Sequence, residues 1–112
     1  MIDSLSIAER TFDLEMPTGK RVRFTASFGP IYQAGEDYRC PVRFFGWVDS
    51  PPDIHGIDSL QALLLAVNLS NSILKSLIER GGRVLYPDTD IDFPLETMIF
   101  SENLAINDPA SS

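Results

Sequence analysis

Cysteine and histidine occur once each in these 112 residues, as Cys40 and His55, and that scarcity removes several chemistries at the outset. A single thiol forms no internal disulfide, and one cysteine with one histidine falls short of the usual ligand sets of zinc. Basic residues are also few: nine Lys and Arg stand against sixteen Asp and Glu, for a net charge of −7. That balance repels a polyphosphate backbone or an anionic bilayer and attracts a basic partner. The start Met1-Ile2-Asp3-Ser4 has neither a basic region nor an apolar signal core. Asn68, Ser70 and Asn71 interrupt the most apolar stretch before it reaches membrane-spanning length. The expectation is a cytoplasmic chain with no cofactor, no membrane attachment and little use for nucleic acid.

What is present has the composition of an ordinary globular domain, 44% hydrophobic and 22% charged. The expected organisation is one domain over residues 1–106 and a flexible tail over 107–112. Residues 5–16 and 20–28 alternate apolar with polar and flank Pro17-Thr18-Gly19, which predicts two strands and a tight turn. A three-residue turn with Gly19 left-handed sets Leu14 against Val22, Phe12 against Phe24 and Ala8 against Phe28 on one face. The other face then pairs Glu15 with Arg21, Asp13 with Arg23 and Thr11 with Thr25. After a loop over 29–37, residues 38–48 read as a third strand with Tyr38, Cys40, Val42 and Phe44 inward and Arg39, Arg43, Phe45 and Trp47 outward. Pro41 has no N–H to donate, so this strand is expected at an edge or bulged there. A short fourth strand, Arg83-Val84-Leu85-Tyr86, is halted by Pro87.

Between the third and fourth strands lies "GIDSLQALLLAVNLSNSILKSLIERGG", residues 56–82, capped by Asp58 with Gln61 three residues on and stopped by Gly81-Gly82. On a helical wheel Leu60, Leu63, Ala66, Val67, Ile73, Leu74, Leu77 and Ile78 share the half that would cover a sheet. Gln61, Asn68, Asn71, Lys75 and Glu79 occupy the other half, yet Leu64 and Leu65 sit among them and Leu69 lies at the margin. Burying a leucine contributes roughly 1.5–3 kcal/mol, so these three are candidates for a contact. Either the segment after Pro94, with Met98, Ile99 and Phe100, folds over them, or a second copy or a partner does, or they stand plainly exposed.

Other candidates carry chemistry of their own. Asp88, Asp90 and Asp92 open like a calcium loop, but Phe93 stands where its glycine belongs and Ile99 where its bidentate glutamate belongs. An acidic turn that bonds its own backbone, and that is available to a basic partner, is the expected reading; a divalent-metal enzyme built on the three aspartates is the competing one. Arg21, Arg23, Arg39 and Arg43 are expected on one outer face near Phe45 and Trp47, an arrangement found on sheets that bind single strands. Glu15 and Asp13 oppose two of those arginines, so a cross-strand charge ladder is favoured, with Phe45 and Trp47 kept as partner anchors. Cys40 is read as a buried structural thiol and His55 as a turn residue without a nucleophile to serve.

The run "GIDSLQALLLAV…ILKSLIERGGRVLYPDTDIDFPLE" resembles a group of small bacterial proteins known only as a domain of unknown function, over residues 38–96. The resemblance implies a bacterial origin and a β-β-β-α-β order, and assigns no catalytic residue. The fold expected is α+β: an antiparallel sheet of three long strands and one short one, with the helix over 58–80 packed on one face. The function expected is non-enzymatic protein binding, as a homodimer or as an immunity- or antitoxin-like binder of a basic partner.

Overall fold

A computed structural model of the chain describes residues 5–95. Strands β1 (Ala8–Glu15) and β2 (Arg21–Phe28) form the expected hairpin. Leu14 lies opposite Val22, Phe12 opposite Phe24 and Ala8 opposite Phe28, while Glu15 meets Arg21 and Asp13 meets Arg23. The turn closes through Gly19 N–H to Met16 O at 2.8 Å and Met16 N–H to Lys20 O at 2.7 Å. Gly19 has φ +92°, a conformation that a side chain would strain. Phe12, Leu14, Phe24, Ala26 and Phe28 are buried on the inner face.

The single third strand expected over 38–48 is two strands in two different sheets. Strand β4 (Asp37–Cys40) is the centre of a small antiparallel sheet, flanked by β3 (Tyr32–Ala34) and β6 (Ile54–Gly56). Strand β5 (Val42–Phe45) is the edge of the larger sheet, where it pairs with β2. Pro41 is the break. It cannot donate to a ladder, and its carbonyl instead accepts from Gly29 N–H at 2.9 Å as the chain passes between sheets. The expected edge position therefore holds for β5 and not for β4. Likewise the loop expected over 29–37 contains β3 and a two-residue turn, Gly35-Glu36, with Gly35 at φ +65°. On the free edge of β5 the Phe44 N–H is capped by Ser50 Oγ at 2.8 Å.

Trp47 was expected outward and faces inward. Gly46, at φ +98°, turns the chain where a Cβ would lie 1.9 Å from Arg23 O. The alternation of β5 ends there, and the Trp47 ring meets Phe24 edge-on at 5.4 Å between centroids.

Helix α1 (Ser59–Glu79) starts on its predicted cap, Asp58 Oδ1 accepting from Gln61 N–H at 2.7 Å. The Gln61 side chain reaches back one residue further than the cap, accepting from Ile57 N–H at 2.7 Å. At the other end Gly82 N–H bonds Leu77 O at 2.9 Å and Gly81 N–H bonds Ile78 O at 3.0 Å, the paired closure of a Schellman stop. The packed stripe is Ala62, Ala66, Ser70, Leu74 and Leu77, with Leu63, Val67 and Ile73 partly buried beside it. Leu60 and Ile78, expected in the core, are exposed, and Asn71, expected in solvent, is buried.

The reason is the closeness of the contact. Helix α1 lies chiefly on β6 and β4 and reaches β2 and the last strand, β7 (Arg83–Leu85), less extensively. A Cβ at Gly56 would stand 2.4 Å from Ala62 N and 2.8 Å from its Cα. Small residues bring the helix backbone down onto β6, so the buried stripe is centred on alanines and the bulky side chains fall to its flanks. By length and composition alone α1 is long and apolar enough to cross a bilayer, despite the interruptions at Asn68, Ser70 and Asn71. In the fold its Ala62–Leu77 stripe is packed against the sheets.

Strand β7 (Arg83–Leu85) pairs with β1, giving the larger sheet the order β5-β2-β1-β7. The chain then doubles back: Tyr86 N–H bonds Ile91 O at 3.0 Å and Phe93 N–H bonds Val84 O at 2.8 Å. Phe93 meets Phe12 edge-on at 5.0 Å, and Leu95 is buried with it. The class is α+β as expected, with seven strands among the described residues rather than four. The tail over 107–112, and the covering segment with Met98, Ile99 and Phe100, lie outside the described residues.

Replacing Gly56 by Ala is expected to lower stability by about 1–3 kcal/mol, because backbone rather than a movable side chain blocks the new methyl. Urea unfolding measures it; an unchanged midpoint would mean that the helix does not sit so close.

Candidate functional site

The outer face of the β1–β2 hairpin carries the predicted pairs. Arg23 Nε donates to Asp13 Oδ1 at 2.9 Å, and Arg21 Nη2 to Glu15 Oε1 at 3.1 Å. Because β7 lies beside β1, the turn that follows it is delivered to the same face. That turn is fixed locally: Thr89 Oγ1 donates to Tyr86 O at 2.9 Å and accepts from Ile91 N–H at 3.1 Å, while Asp88 takes φ +62°. Its carboxylates meet the arginines. Arg23 also bonds Asp88, Arg21 also bonds Asp90, and Arg83 bonds Asp92 at 3.0 Å and Asp90 at 3.2 Å. Asp88 N–H closes the network on Asp13 Oδ2 at 2.7 Å.

The hydrogen bond from Arg23, and then that from Asp88 N–H, hold the Asp13 carboxyl below its ordinary value. The Asp90 carboxyl is lowered first by its bond from Arg21 and next by the charge of Arg83. Arg23 is raised in turn by its bonds to Asp13 and Asp88.

The surplus leucines of α1 do not form one patch. Leu64 is partly buried and lies one turn beyond exposed Leu60, on the flank that continues from Ile57. Leu65, exposed, and Leu69, partly buried, lie on the other flank. Gln61, Asn68, Lys75 and Glu79 form the exposed ridge between them.

A second polar group lies on the face of the small sheet opposite the helix. Tyr32, Arg39 and His55 are direct cross-strand neighbours along β3, β4 and β6. The Tyr32 hydroxyl donates to Asp53, just before β6, and His55 Nδ1 lies 3.6 Å from Asp37 Oδ2. Reasoning from the sequence did not collect these residues. Asp37 and Arg39 alternate on one strand, but three-residue strands give too little periodicity to reveal the other members.

A family model, described as a domain of unknown function (DUF6968), matches residues 8–95. The chain belongs to the DUF6968 family. The match runs from the first residue of β1 to buried Leu95, so it takes in both sheets, the helix and the whole Arg–Asp network. No curated protein and no solved structure matches the chain.

In this DUF6968 domain the two charged features that were read as separate candidates are each other's partners. Asp88, Asp90 and Asp92 are distributed over Arg23, Arg21 and Arg83. Among the described residues no group of three or more His, Cys, Asp or Glu side chains converges as a metal ion would require. The expected four-arginine face is also not one surface. Arg39 belongs to the small sheet, and Arg43, on β5 opposite Ser27, donates to Gly29 O at 3.4 Å. Phe45 stands opposite Thr25 and is half-buried, and Trp47, also half-buried, packs inward against the core. Cys40 is fully buried, as expected, and burial raises its thiol, which opposes thiolate chemistry. His55, expected in a turn, stands exposed on β6.

Because Asp13 titrates lower when folded than unfolded, its pairing stabilises the fold fully above about pH 4, the ordinary aspartate value. That contribution is lost as pH falls through the depressed folded value. Asp13→Asn is expected to cost roughly 1 kcal/mol at neutral pH and to show a shallower acid decline than wild type. Urea midpoints measured from neutral to acid pH test this; parallel profiles would show that the network contributes nothing.

Proposed function

We propose that this DUF6968 domain is a cytoplasmic bacterial protein-binding module that acts without catalysis, an immunity- or antitoxin-like binder of a basic protein. The observation that carries the reading is the exposure of Ile57 (75%), Leu60 (61%) and Leu65 (44%) on and beside the only helix among the described residues. Each offers apolar area that a partner would remove from water, at about 25 cal/mol per Å². Exposed leucines scattered singly need no explanation, but Ile57 and Leu60, continued by Leu64, make a contiguous flank.

Charge indicates the kind of partner. Arg21, Arg23 and Arg83 are already answered by the domain's own carboxylates, and the chain as a whole carries a net charge of −7. Asp58 adjoins Ile57 directly. A partner with an apolar centre and a basic rim complements this surface, and its encounter would be faster at low salt.

A monomer is expected in light scattering. Affinity capture on the wild-type domain should then retain a basic protein that is lost on Leu60→Glu and weakened by salt. A dimer dispersed by Leu65→Glu would transfer the helix flank to self-association. Capture unaffected by Leu60→Glu would remove the helix from the reading altogether.

A further inference from the structure

Among the described residues Arg39 has no carboxylate partner, and its guanidinium hydrogen-bonds the Tyr32 side chain instead. Arg21 and Arg83 each meet two carboxylates, and so does Arg23, although all three are solvent-accessible. Arg39 is half-buried at the centre of the small sheet's outer face, and its Nε is shielded from water without a hydrogen-bond partner. The two carboxylates nearest on that face are turned elsewhere: Asp53 accepts the Tyr32 hydroxyl, and Asp37 lies toward His55. Since Tyr32 is on β3 and Asp53 adjoins β6, their bond crosses the sheet over β4, and the phenol is held beside the guanidinium.

A guanidinium is a fork of donors matched to a carboxylate, and desolvated arginines of this kind dominate protein interfaces. Asp37 and Asp53 on either side would repel an isolated anion. They fit a ligand that brings cations beside its carboxylate. Alternate residues of an extended segment face the same way, and Asp37 and Arg39 are spaced alternately on β4. We propose that the outer face of the small sheet recognises an extended, mixed-charge segment of the protein partner, with Arg39 taking a carboxylate and Asp37 and Asp53 taking the flanking cations. This rests on the reading that the domain binds a basic protein and adds the element that would select among such proteins.

The probes are two end-blocked peptides, Lys-Gly-Glu-Gly-Lys and Lys-Gly-Gln-Gly-Lys, titrated into the full chain and followed by amide and arginine Nε–H NMR signals. The Glu peptide carries less positive charge, so general attraction to an acidic protein would favour the Gln peptide. The proposal expects the reverse: the Glu peptide binds roughly tenfold more tightly, shifts Arg39 and His55, and loses that preference in Arg39→Gln. Arg39→Lys, which keeps charge without the fork, should recover only part of it, and the dispersion of the amide spectrum verifies folding of both variants. Equal binding, or a preference for the Gln peptide, overturns the role of Arg39 while leaving the basic-partner reading intact. No perturbation by either peptide counts against both.

Discussion

The pairing of Asp13 with Arg23 and of Glu15 with Arg21 across the β1–β2 hairpin is the constraint on which the larger sheet depends. A one-residue slip would set one strand's apolar residues, Phe12 and Leu14 or Val22 and Phe24, against the charged face of the other. The three-residue turn at Gly19 prevents that slip. With that register set, β7 pairs beside β1 with Arg83 opposite Glu15, and the turn over 87–92 arrives on the arginine face. The ion pairs gain their effect as a network, since exposed pairs taken singly contribute little.

That arrangement changes what the charged residues mean. Three aspartates at alternate positions suggest a metal loop, and arginines on a strand suggest a nucleic-acid face; in the folded chain each set satisfies the other. The chain as a whole keeps a net charge of −7.

The hairpin register, the helix and both of its caps were legible in the sequence, because each rests on local chemistry: alternation over eight residues, a left-handed glycine, an Asp–Gln cap, a double-glycine stop. Two kinds of feature were not. Pro41 was rightly read as incompatible with a continuous central strand, but nothing local says that the chain changes sheets there. Strands β3 and β6 have three residues each, too few for a period to register. The packed stripe of α1 was misjudged for a different reason. A wheel weights large apolar residues, whereas Gly56, Ala62 and Ala66 draw the helix in by their smallness and leave Leu60 and Ile78 outside. The polar group around Arg39 stayed hidden because its members come from three short strands whose pairing is set only by the fold.

The arginines of the larger sheet hold the aspartates of the turn over 87–92. Carbon-13 NMR titration of the Asp carboxyls tests it residue by residue. Asp13 and Asp90 should titrate below the ordinary aspartate value of about 3.9, and Asp90 should move back toward it in Arg21→Gln. Ordinary values for both in the wild-type chain would contradict the network and return the acidic turn to the list of free sites.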